Sequence, residues 1–232
     1  MLTPVEIEAL ILSLKVATLS TLLGLPPALG IAWLLARRNF RGKLFIDALV
    51  HVPLVLPPVA VGYLLLVLLG RGSAVGGWLY DTLGISIAFT WMGAAFAAAI
   101  MGFPLMVRAI RLSIEAVDPD LEKAARTLGA SPFIAFKTIT MPLLMPGLIS
   151  GAVLGFARAL GEFGATITFA GNIRGVTQTL PSALYTAHQQ PGGDVAALRL
   201  AILSIIIAVL ALLASELLAR RTRRTIYGEA AL

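Results

Sequence analysis

Arg158 and Glu162 stand four residues apart, which sets a guanidinium and a carboxylate on one helical face. The surrounding run is Arg158-Ala-Leu-Gly161-Glu162-Phe-Gly164-Ala-Thr166-Ile-Thr168. Gly161 and Gly164 allow a sharp bend or a close backbone approach, and Thr166 and Thr168 add hydroxyls without charge. Backbone N–H groups and hydroxyls suit a small anion in transit, since a pathway must bind weakly enough to release. The same pair also reads as a structural ion bridge at an interfacial helix end, because ionisable groups at membrane depth are costly and face a bundle interior. A second run, Pro53-Leu-Val-Leu-Pro57-Pro58, is followed by Val-Ala-Val-Gly62. Each proline removes a helical hydrogen bond and bends the chain. A helix broken at Pro57 and Pro58 exposes backbone groups to a substrate, whereas a kink needed only for packing gives the same sequence.

Other chemistry is poorly represented. His51 has no second ligand nearby in sequence, and His188 lies beside Gln189 and Gln190, so both read as hydrogen-bonded or surface histidines. Lys15 reads as a snorkelling or paired lysine. The chain has no cysteine, which removes disulfides, thiolate nucleophiles and cysteine metal sites. It also lacks a G-x-x-x-x-G-K-[ST] phosphate loop, an H-E-x-x-H motif and a G-x-S-x-G elbow. No catalytic residue, metal site or bound cofactor is therefore expected, and the chain does not hydrolyse ATP alone.

The elements that must position these residues are membrane spans. Of 232 residues, 58% are hydrophobic and 13% charged, and several windows of about 20 residues could cross a bilayer. The expected fold is all-α and polytopic, a single domain over 1–232 with five spans at about 8–36, 45–69, 86–110, 142–161 and 196–219. A cleavable leader is not expected, because Glu6 and Glu8 precede a first apolar run too long for one. Arg37, Arg38, Arg41 and Lys43 follow the first span, Arg108, Arg111, Lys123, Arg126 and Lys137 lie around the third connection, and Arg220, Arg221, Arg223 and Arg224 follow the fifth span. On this reading 13 of the 18 Lys and Arg fall on one side, placing the N-terminus outside and the C-terminus in the cytoplasm. The net charge of +6 thus serves topology and lipid contact, not nucleic acid. Residues 162–195 read as an external, gate-like loop that dips toward the membrane and covers a pathway. Five helices make a thin wall for a hydrophilic path, so a dimer with the path at its interface is expected.

The cytoplasmic connection, 111–141, carries an ordered knob. Asp118 caps a helix, Pro119 suits its first position, and Asp120 and Glu122 complement its dipole. Leu121, Ala124, Ala125 and Leu128 make one apolar stripe. Gly129 stops the helix and Ser131-Pro132 opens a second. A membrane protein with little soluble mass that still builds such a knob uses it to dock a separate engine.

Residues 122–142 resemble the cytoplasmic loop of ABC importer permeases, whose pattern is E-A-A, three residues, G, nine residues, I, one residue, L-P. Ala124, Ala125, Gly129, Ile139 and Pro142 fall in register. Lys123 stands at the pattern's Glu, with Glu122 one place earlier, and Met141 stands at its Leu. Pro53–Tyr63, Phe103–Arg111 and Arg158–Thr166 are similar to segments of bacterial molybdate-importer permeases. The resemblance implies the type I importer permease fold in the cytoplasmic (inner) membrane of a bacterium. It implies a second copy of the chain, two ABC ATPase subunits that use ATP and Mg, and a periplasmic or lipid-anchored molybdate-binding protein. It assigns Glu122, Ala124, Ala125, Gly129, Ile139 and Pro142 to ATPase coupling. Molybdate and, by size and charge, tungstate are the implied cargo. A sulfate or thiosulfate permease is the nearer alternative. An ion-coupled secondary transporter is the rival of another class, although Arg158–Glu162 sits near one end of its span.

Overall fold

The computed structural model describes the backbone of residues 2–227 and the side chains of residues 2–214 and Leu217. The described residues form helices α1 (Pro4–Arg37), α2 (Lys43–Val55), α3 (Pro58–Leu69), α4 (Ala74–Leu83), α5 (Trp91–Ala116), α6 (Pro119–Thr127), α7 (Pro132–Ala135), α8 (Met141–Leu160), α9 (Gly164–Phe169), α10 (Leu180–His188) and α11 (Asp194–Tyr227), with a π-helical turn at Phe136–Thr140 between α7 and α8. Among them, α1, α5, the continuous rod Pro132–Leu160 and α11 over Asp194–Ala214 are long and apolar enough to cross a membrane. The pair α2 and α3 makes a fifth span if taken together.

α1 starts where Thr3 and Glu6 close a capping box: the Thr3 hydroxyl accepts from the Glu6 N–H, and the Glu6 carboxylate accepts from the Thr3 N–H at 2.7 Å. Its 34 residues extend about 50 Å at 1.5 Å per residue, so it must tilt or protrude from the bilayer. Its buried face is built of small residues, among them Ala9, Ser13, Ala17, Gly24, Ala28 and Ala32. α5 answers with Ala94, Ala95 and Ala98 against Val16 and Ala17, and with Met106, Val107 and Ile110 against Ala28 and Ala32. Without a hydrophobic drive between helices in lipid, close backbone approach of this kind supplies the cohesion. α8 meets the same helix at Gly155, where an added Cβ would lie 2.0 Å from the Met106 Cε.

Polar ties separate the two ends of the bundle. At one end Arg37 of α1 donates to the Val117 carbonyl at 3.0 Å, and Trp33 meets Phe136 edge-on at 5.2 Å. Asp47 of α2 and Arg111 of α5 pair there at 3.1 Å. At the other end Glu6 pairs with Arg199 of α11 at 3.1 Å, and the Ser13 hydroxyl accepts from the Leu180 N–H at 2.7 Å. Arg37, Arg111 and the knob therefore share one end, as the charge pattern requires. The side chains of Arg220, Arg221, Arg223 and Arg224 lie outside the described residues.

The bend expected at Pro57 and Pro58 breaks the span at 45–69: α2 and α3 meet at 113°, because Pro57 and Pro58 end one helix and open the next. Three other stretches differ from what the sequence suggests. The third span begins at Trp91 rather than 86, since Phe89 adopts φ 59° and Thr90 caps the helix. Residues 162–195 hold two helices, α9 and α10, whose Ala165, Phe169 and Leu180 are fully buried, so much of this stretch is packed core instead of loop. The short α4, started by Ser73 accepting from the Gly76 N–H at 2.9 Å, was not signalled by hydrophobic periodicity.

Candidate functional site

Two groups of residues sit at opposite ends of α8, whose 20 residues span about 30 Å. At the cytoplasmic end is α6. The Asp118 carboxylate accepts from the Asp120 N–H at 2.9 Å and caps it. The hydrogen bond between Lys123 and Asp120, 2.6 Å long, raises the Lys123 ammonium pKa above its ordinary value. The helix has no buried residue. Leu121 and Leu128 of its apolar stripe are exposed, Leu128 to 90%, and Phe133 beside them to 72%. Ala124 is exposed and Ala125 half-buried. Gly129 follows at φ 92°, a left-handed conformation that favours glycine. Ile139 lies in the π turn and Pro142 is the second residue of α8; both are half-buried. Glu122 turns inward, and its carboxylate accepts a hydrogen bond from the Thr140 hydroxyl. Thr140 is fully buried; it was not singled out from sequence, and no spacing rule links residues 18 apart.

At the far end α8 stops at Gly161, and the chain turns through Glu162 and Phe163 into α9. Arg158 and Glu162 pair at 2.5 Å, with side-chain exposures of 27% and 1%. The Glu162 carboxylate also accepts from the Ala165 N–H at 2.8 Å, so the acid is fixed from two sides. Gly161 is exposed. Gly164 is buried, and a Cβ there would lie 2.7 Å from the Pro58 Cβ. Gly62 makes a still closer contact, with a Cβ set 2.6 Å from the Ala165 carbonyl oxygen. The two broken segments, α2–α3 and α8–α9, thus lock together through glycines. Pro57, at the break itself, is exposed and Pro58 half-buried.

Thr166 and Thr168 depart from the expectation of free hydroxyl donors. Thr166 donates to the carbonyl of Phe163 at 2.9 Å, and Thr168 to that of Gly164 at 2.8 Å. These hydroxyls are engaged by their own helix, the common fate of helical threonines, and are not free donors in this conformation. Lys15 places its ammonium 3.6 Å from the Trp91 ring centroid, a cation–π pairing. His51 approaches Asp47, and His188 approaches Asp194. Among the described residues no cluster of His, Cys, Asp or Glu could hold a metal ion.

The described residues thus form a polytopic helical bundle with one bent helix pair and an exposed helical knob between α5 and α8. This architecture is shared with solved transporters. It superposes on a bacterial ABC transporter that imports the acidic polysaccharide alginate with a TM-score of 0.75, at 18% identity over 95% of this chain and 80% of that one. The MetNI methionine ABC transporter gives 0.73, also at 18% identity, over 96% and 99%. The fold is that of type I ABC importer permeases. Residues 28–224 match the model of the binding-protein-dependent transport system inner membrane component family, and the chain belongs to that family. It is accordingly a multi-pass protein of the inner membrane. The Molybdenum transport system permease protein ModB of Escherichia coli K12 is 59% identical over 96% of this chain and 97% of its own length. The protein of that name from Haemophilus influenzae is 54% identical over 94% and 96%. The sulfate transport system permease protein CysT of Escherichia coli K12 is 37% identical over 68% of this chain and 57% of its own.

Proposed function

We propose that this chain is the membrane-spanning permease of an ATP-driven importer that carries molybdate, and tungstate with it, across the cytoplasmic membrane by alternating access. The observation that carries the substrate is near full-length identity of 59% to a permease named for molybdenum, against 37% over a shorter stretch for one named for sulfate. The observation that favours an external engine is the bare apolar face of α6 with Leu128 and Phe133 beside it.

In this reading two copies of the chain enclose the path, and two ATPase subunits using ATP and Mg seat the α6 knobs. A periplasmic or lipid-anchored binding protein delivers the tetrahedral dianion at the end that holds Glu6 and Arg199. Movement of α6 passes along α8 to the Arg158–Glu162 turn and the glycine-locked break at Pro57 and Pro58. Affinity resides largely in the binding protein, so the path needs only weak ligands. Competition tests the substrate: uptake of labelled molybdate should fall with excess tungstate and persist in excess sulfate. Suppression by sulfate would place the protein with the sulfate permeases instead.

A further inference from the structure

Glu122 is the acidic residue of the knob nearest to the glutamate of the E-A-A pattern, yet it does not face outward. Its half-buried carboxylate takes the hydroxyl proton of Thr140, at the head of the α8 span. Among the described residues no cation pairs with Glu122, and the neighbouring Lys123 pairs with Asp120. Thr140 is equally unusual. Thr21, Thr82, Thr127, Thr138 and Thr168 each donate to the carbonyl four residues back. The Phe136 carbonyl, four residues before Thr140, accepts from the Met141 N–H, five residues on, and the Thr140 hydroxyl instead donates across to Glu122 of α6. π turns of this kind recur at functional sites.

We propose that Glu122 and Thr140 form an internal latch that makes the coupling helix and the α8 span move as one body. Glu122 is then a positioning residue of the coupling step and not a contact for the ATPase. The latch rests on the importer reading above. Without it α6 would be joined to α8 through the exposed turn at Leu128–Ser131, the short α7 and apposition on the π turn, with no side-chain bond to carry a push on α6 into the span.

The test uses the whole transporter in proteoliposomes, with Glu122→Ala, Glu122→Gln, Thr140→Val, Thr140→Ser and the double variant E122A/T140V. Three quantities are read: ATPase retained on the permease, ATP hydrolysed, and molybdate imported per ATP. The latch predicts that every variant retains the ATPase. Import per ATP falls about tenfold in E122A and in T140V, the cost of losing one hydrogen bond to a charged group. The double variant is no worse than either single one, because both remove the same interaction. E122Q and T140S remake the bond and stay within about twofold of the unaltered chain. The proposal is overturned if T140V imports normally, or if E122A and E122Q shed the ATPase while T140V keeps it. Failure of the unaltered chain to retain any ATPase would instead overturn the importer reading, and the latch with it.

Discussion

Glu162 shows how a single residue here can be read two ways. A carboxylate 1% exposed and bound to both Arg158 and the Ala165 N–H stabilises the turn that ends α8. Removing one partner of a buried pair strands the other charge. Glu162→Ala is therefore expected to lower unfolding stability by about 3 kcal/mol, measurable as a fall in Tm in detergent. Replacing both partners, R158L with E162M, should recover most of that loss, since a packed apolar pair has no desolvation to offset. If the double variant folds well but does not transport, the pair serves the path. Transport by the stable double variant would mark it as structural. The spacing of the pair was legible in sequence. The engagement of Thr166 and Thr168 with their own carbonyls was not, because a threonine hydroxyl serves a helix or a ligand equally well until the backbone is known.

At the scale of elements, α6 was the most readable part of the chain. Asp118, Pro119 and Gly129 mark its ends by local chemistry alone. The break at Pro57 and Pro58 was readable as a bend, but its 113° was not. That angle depends on Gly62 and Gly164, which admit the backbone of another segment more than 100 residues away. The helices α9 and α10 were hidden for a related reason: they are short, separated by a stretch holding Gly171 and Gly175, and buried on several sides, so no single face shows a period. The exposed face of α6 supports a direct prediction. Leu128→Asp with Phe133→Asp changes two side chains that touch little, so stability should shift by no more than about 0.5 kcal/mol for each. Retention of the ATPase on the purified permease should nonetheless be lost. Full retention would mean that the engine docks elsewhere.

At the scale of the molecule, charge and architecture agree on orientation. Arg37, Asp47, Arg111 and the knob gather at one end, and Glu6, Arg199 and α10 at the other. A chain without cysteine lets single thiols report this directly. Thr82→Cys and Gln190→Cys should react with a membrane-impermeant maleimide in intact cells, and Arg126→Cys only after permeabilisation. Labelling of Arg126→Cys in intact cells would invert the topology. Orientation matters because the proposed coupling requires the knob to lie on the side where ATP is found, with α8 as the rod that would carry its motion across the bilayer.

On the proposed reading a separate ATPase drives this chain through α6 to import molybdate. Uptake of labelled molybdate into proteoliposomes that hold the permease, its ATPase and its binding protein, each omitted in turn, tests this most directly. Uptake is expected only when all three and ATP are present. Uptake that persists without the ATPase, or that follows an imposed proton or sodium gradient, would contradict it.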